Sequence, residues 1–237
     1  MPTILAIDTA TEQCSVALGC EGKVYLQAEV APQKHANLVL AQIDAVLNEA
    51  GCTRADIDAI GYGAGPGSFT GVRIALATAQ ALGLGLDKKV FAVSDLKLLV
   101  ADELLAAPDG ALGLACTDAR MGEVYFALFA HEQGAFKSII AEKVVKPEQA
   151  VAEINAALAA QGKSLSVVAG TGIALLKEQG LVLPPELTAE LKLYPRADSI
   201  ITCAQVEAPT LVDPAEAEPL YCRNEVTWKK VSEQKHH

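Results

Sequence analysis

Apolar and polar positions first alternate and later fall three to four residues apart, and this change of period divides the chain into elements. Residues 3–8, 13–20 and 23–30 are short β-type runs, separated by TATEQ and the turn-like CEGK, which predicts a three-stranded meander. From His35 to Ala50 the apolar residues Val39, Leu40, Ile43, Val46 and Leu47 keep helical spacing, and Gly51 is the stop signal. A strand over 58–63 runs into the glycine loop GAGPGSFTGVR, then a long apolar helix, a strand over 89–93 and a helix that Ser94 can cap. The second half repeats this order. Strands are predicted near 111–118, 123–130 and 135–145, followed by a helix opened by Pro147, a strand over 165–169 and GTG leading into a short helix. A strand at 191–194 and a helix at 197–205 complete it.

Two halves of the same order, βββαβαβα, predict a duplicated α/β fold with a cleft between its lobes, of the actin-like ATPase (RNase H-like) architecture. The N-terminal lobe is assigned to residues 1–106 and the C-terminal lobe to residues 107–237. The stretch APTLVDPAEAEP after residue 207 reads as an extended tail lying over the body. Composition narrows the class: 51% of the residues are apolar and 20% charged, as in a folded globular chain. The start MPTILAIDTATEQC lacks a basic n-region, so no signal peptide is predicted, and Ile74 to Leu86 is too short to span a bilayer. The six cysteines form no CxxC pair, which suits small buried hydrophobes in a reducing cytoplasm without disulfides. A net charge of −10 argues against tight direct binding to a phosphate backbone, although Arg223, Lys229, Lys230 and Lys235 form a local basic cluster.

Catalytic machinery is hard to assemble from this chain. The glycine loop stands between a strand and a helix start, where backbone N–H groups could cradle an anion, but it lacks a P-loop lysine. The first hairpin offers Asp8, Thr9 and Thr11, with Ala10 where glycine would let backbone approach a phosphate. Together with Gly67 and Ser68 these residues are candidates for a vestigial anion site. The second hairpin offers Asp118 and Arg120. His35 and His131 are too far apart in sequence to form a metal motif, so no metal site is predicted. Ser68 is not in a GxSxG elbow, and its expected role is to cap the following helix. An ATP-dependent small-molecule kinase or ATPase and a protease remain as alternative functions.

The helix FTGVRIALATAQALGLGL carries the clearest signal. Gly71, Ala75, Ala79 and Gly83 form one stripe of small residues, and Ala77, Ala81 and Gly85 form another. Apolar residues fill the space between, so this helix must be covered on more sides than one sheet can cover. On the helix before it, Leu38, Ala41 and Ala45 lie off the main apolar face. Either both helices are central in the lobe, or the two together meet a similar face of another subunit as a four-helix bundle. The second reading nominates Leu38, Ala41, Gln42, Ala45, Phe69, Val72, Arg73, Leu76, Ala77 and Gln80 as partner-binding, with Gly71, Ala75, Ala79 and Gly83 for close helix packing. Arg73 and Gln80 are expected to fix the register. A bulky residue at Ala75 or Ala79 is expected to weaken association while leaving the monomer folded.

ILAIDTATEQCSVAL, the glycine loop with its helix, DARMGEVYFALF and the late YCRNEV together resemble the bacterial TsaB (YeaZ) family over nearly the full length. The resemblance implies an actin-like fold without catalysis of its own, acting in threonylcarbamoyladenosine synthesis in tRNA. It implies homodimers, pairing with the catalytic paralogue TsaD through the two N-lobe helices, and the ATPase TsaE as a further partner. ATP and Mg²⁺ would then be used through partner subunits, with tRNA reached only indirectly and no membrane involved. Where TsaD-like chains carry HxxxH, this chain has Asp95 and Leu99. Cys222 stands where the family pattern leads one to expect an aliphatic residue.

Overall fold

The computed structural model describes residues 2–188 and 192–222. The basic cluster from Arg223 onward, His236 and His237 therefore lie outside the described residues. The meander forms as expected: β1 (Ile4–Asp8), β2 (Gln13–Cys20) and β3 (Lys23–Val30) pair antiparallel. β4 (Ala59–Gly63) and β5 (Lys89–Val93) add parallel to β1, which gives the order β3-β2-β1-β4-β5. Period-2 patterning sends Leu5, Ile7, Val16, Leu18, Ile60 and Tyr62 to one face of this sheet. There they meet α1 (His35–Ala50) and α2 (Phe69–Leu86). Ile4, Ala6, Ala17 and Ala59 line the opposite face.

The second sheet has order β8-β7-β6-β9, from β6 (Leu112–Arg120), β7 (Glu123–Glu132), β8 (Ala135–Val145) and β9 (Val167–Ala169). Its outer face packs on α4 (Pro147–Gln161) and α5 (Ile173–Glu178). Met121-Gly122 and Gln133-Gly134, both with positive φ, close its hairpins as Glu21-Gly22 does in the first sheet. His131 lies within β7 rather than in the turn, its Nδ1 3.0 Å from the Ala107 carbonyl.

Two expectations change here. The predicted strand at 191–194 is absent among the described residues: Lys192 contributes one rung, its carbonyl accepting from the Gly170 N–H at 2.7 Å, and Pro195 stops any extension. Among the described residues the second lobe is thus βββαβα followed by a helix, with four strands rather than five. The inner helices are also exchanged. α3 (Asp95–Ala106), from the first half, buries Leu96, Leu99, Val100 and Leu104 against Ala115, Ala127 and Phe129 of the second sheet. α6 (Ala197–Val206), from the second half, buries Ile200 and Ile201 against Ile4, Ala17 and Phe91 of the first. Each sheet is closed by a helix from the other half of the chain, so the packing crosses residue 106.

The tail returns to the first lobe, as its composition suggests. Val212 pairs antiparallel with Val90 at the edge of β5. Gln80 Nε2 donates to the carbonyls of Pro214 and Ala217, Tyr62 Oη donates to the Glu218 carbonyl, and Leu220 N–H donates to that of Ala64. One flank of α2 is thereby strapped by the chain's own end.

Candidate functional site

The glycine loop is spent on the protein itself. Ser68 N–H donates to the Ala10 carbonyl at 2.7 Å, and Ser68 Oγ accepts from the Gly71 N–H at 3.4 Å as the cap of α2. Gly65 N–H donates to Asp95 Oδ2, and Thr9 Oγ1 donates to the Gly71 carbonyl at 2.7 Å. A Cβ at Gly67 would lie 2.4 Å from the Ala10 carbonyl oxygen, and one at Gly71 2.0 Å from that of Thr9. The β1–β2 turn therefore fills the cradle with its own backbone, presenting carbonyls where an anion would need donors. Of the proposed anion residues, Asp8 and Thr9 are fully buried, Thr11 and Gly67 are half-buried, and only Ser68 is exposed. The vestigial anion site is corrected accordingly: these residues form a packed joint.

Beneath the joint lie Asp8 and Asp95, both buried, with Asp8 Oδ2 and Asp95 Oδ1 lacking any donor other than each other. Burial pushes the Asp8 carboxyl up from 3.8 to about 6, and burial together with the neighbouring Asp8 charge pushes Asp95 well above the carboxylate range. Asp95 therefore keeps a proton and donates it to Asp8. The folded state holds this proton more tightly than the unfolded chain, so the pair's stabilisation is complete below the ordinary carboxylate range. It is lost as pH rises through the raised folded values. Asp95→Asn can keep the acceptor for Gly65 N–H and supply a permanent N–H to Asp8. We expect it to be more stable than the parent at pH 8, by of order 1–3 kcal/mol, with the gap closing towards pH 4 in urea titrations. A gap independent of pH would exclude the shared proton.

No group of three or more metal-ligating side chains occurs among the described residues. Leu99 sits in the apolar core, and Asp95 is engaged as above. The second hairpin reaches back to the β1–β2 turn, where Arg120 bonds Glu12 at 2.9 Å and its own Asp118 at 3.4 Å.

The second candidate surface is the outer side of α1 and α2. Gly71, Ala75, Ala79 and Gly83 are all buried in the chain's own lobe, Gly83 against Pro214 and Val90. The expectation for Ala75 and Ala79 is thus corrected: a bulky residue there strikes the monomer core. Val72 and Leu76 are core residues too, and Gln42 is buried, accepting from Cys14 Sγ at 3.3 Å. Gln80 belongs to the tail strap rather than to a free face. What remains outward is Ala41 with half-buried Leu38 and Ala45 on α1, and on α2 Phe69, Arg73 and Ala77. Ala81, Leu84 and Gly85 join them, unassigned to the partner face by the sequence reading although Ala77, Ala81 and Gly85 repeat at i, i+4. Leu40, placed in the apolar face by its spacing, is 58% exposed. The Arg73 guanidinium lies 3.3 Å over the Phe69 ring, which stacks on Tyr221 of the tail at 6.4 Å. By length and composition α2 would pass for a membrane span. Its buried small-residue stripe instead seats it on the sheet.

Residues 26–230 match the family model of TsaD, tRNA N6-adenosine threonylcarbamoyltransferase. The tRNA threonylcarbamoyladenosine biosynthesis protein TsaB of Escherichia coli K12 is 40% identical over 234 residues, covering 96% of this chain and 97% of that protein. The chain belongs to the TsaB family. TsaB of Haemophilus influenzae is 37% identical over 241 residues, 97% of each chain. Among solved structures, YeaZ from Pseudomonas aeruginosa superposes with TM-score 0.75 at 34% identity, over 93% of this chain and all of that one. The actin-like, RNase H-like fold expected from the duplicated pattern is thus the fold of TsaB relatives.

Proposed function

We propose that this protein acts in threonylcarbamoyladenosine formation in tRNA as a non-catalytic subunit. In this reading it docks the catalytic paralogue TsaD through the outward side of α1 and α2, works alongside the ATPase TsaE, and uses ATP and Mg²⁺ only through those partners. The homodimer uses the same face, tRNA is reached through the complex, and the setting is the cytoplasm. The observation that carries the reading is the filled glycine loop: Ala10 and Thr9 carbonyls occupy the place where a phosphate would need N–H donors. The open stripe Ala77, Ala81 and Gly85 supports the docking part, since small residues let two helix backbones approach closely.

Reconstitution tests it. The purified chain is expected to leave ATP intact alone, and to restore tRNA modification when mixed with TsaD, TsaE, ATP, tRNA and threonylcarbamoyl-adenylate. Turnover of ATP by this chain alone at about 1 s⁻¹ or more would instead select the kinase or ATPase reading. No observation favours a protease, because Ser68 Oγ is engaged as a helix cap.

A further inference from the structure

Cys20 closes β2, and Cys52 follows the Gly51 cap of α1. Their Sγ atoms lie 3.3 Å apart although the residues are 32 positions apart in sequence. Both backbones are fixed. Cys20 pairs with Lys23 across the β2–β3 hairpin, and Cys52 N–H donates to the Leu47 carbonyl at 2.9 Å. A disulfide asks this gap to close to roughly 2.05 Å. Both residues are half-buried, and Cys20 lines a groove of about 220 Å³ between the hairpin and α6, with exposed Lys23 in its wall. Lys23 supplies one cation there, set against the carboxylates of Glu21 and Asp56, whose charges act on Cys52.

We propose that Cys20 and Cys52 form a reversible dithiol–disulfide site, oxidised by a low-molecular-weight disulfide of the glutathione type, whose closure clamps the end of α1 to the first sheet. Cys20 lines the groove, so the reagent meets its sulfur first, and Cys52, whose thiol the hydrogen bond to Cys20 pushes up to about 11, is left as the resolving thiol. Cys20 thiolate displaces one thiolate from the reagent and forms a mixed disulfide. Cys52 then gives up its proton and attacks the Cys20 sulfur, expelling the second thiolate. Two protein thiols are oxidised, one external disulfide is reduced to two thiols, and the two cysteine protons end on them.

The clamp crosslinks the helix that carries Leu38, Ala41 and Ala45, so oxidation acts on an element of the outward face without touching its residues. To test this, the full chain is incubated with glutathione disulfide and followed by intact mass, peptide mapping and thermal unfolding. The expected product has lost two hydrogens, yields a Cys20–Cys52 linked peptide, reverts with dithiothreitol, and unfolds roughly 5–10 °C higher. Cys20→Ser and Cys52→Ser should each abolish the linked peptide and the shift. A persistent glutathione adduct on the parent chain, a linkage through Cys222 instead, or full alkylation of both thiols after treatment would each overturn the proposal.

Discussion

Gly71→Ala is expected to destabilise the fold by about 3 kcal/mol or more. The added Cβ would stand 2.0 Å from the Thr9 carbonyl oxygen, which is backbone and cannot rotate away. Relief would require α2 to lift from the β1–β2 turn, breaking the Thr9 Oγ1 bond to the Gly71 carbonyl and the Ser68 bond to Ala10. The same helix supplies its own control. A Cβ on Gly85 meets nothing within 4 Å, so Gly85→Ala should stabilise by roughly 0.5–1 kcal/mol through helix propensity alone. Opposite signs for two glycine-to-alanine changes in one helix, read from urea midpoints, would establish the loop as a packed joint. Near-equal midpoints would mean that the joint yields, and the case against an anion cradle would weaken with it.

Much of this architecture is legible because local chemistry and tertiary structure agree. The switch of period from two to three or four placed the meander and α1, Ser68 and Ser94 cap the helices they precede, and Pro147 stands at the first turn of α4. What the sequence could not convey is which neighbour each stripe meets. Gly71, Ala75, Ala79 and Gly83 resemble Ala77, Ala81 and Gly85 in composition, and only the position of the Thr9 carbonyl and Val90 decides that the first set faces inward. Leu40 and Leu84 have apolar spacing yet point outward, because spacing fixes a face of a helix and not the sheet beneath it. The exchange of α3 and α6 between sheets is equally invisible to periodicity. Gln80 illustrates a further limit: a lone polar residue on an apolar helix reads as a contact for a partner, and here it receives the chain's own tail.

Ala81→Arg should sever the proposed docking to the TsaD paralogue while leaving the monomer's stability within about 0.5 kcal/mol of the parent. Ala81 is exposed, so a long side chain meets solvent in the free protein. Between two closely packed helices it would have to be buried without a partner for its charge, weakening association by about 100-fold or more, or roughly 3 kcal/mol. Ala75→Leu separates this effect from a folding defect. Ala75 is fully buried against the sheet, so the leucine must overpack the core and lower the thermal midpoint before any partner is present. Calorimetric titration of folded Ala81→Arg against the paralogue decides the matter. Parent-like affinity would place the contact elsewhere on the molecule, whereas lost affinity with an unchanged midpoint would locate it on the Ala77, Ala81 and Gly85 stripe.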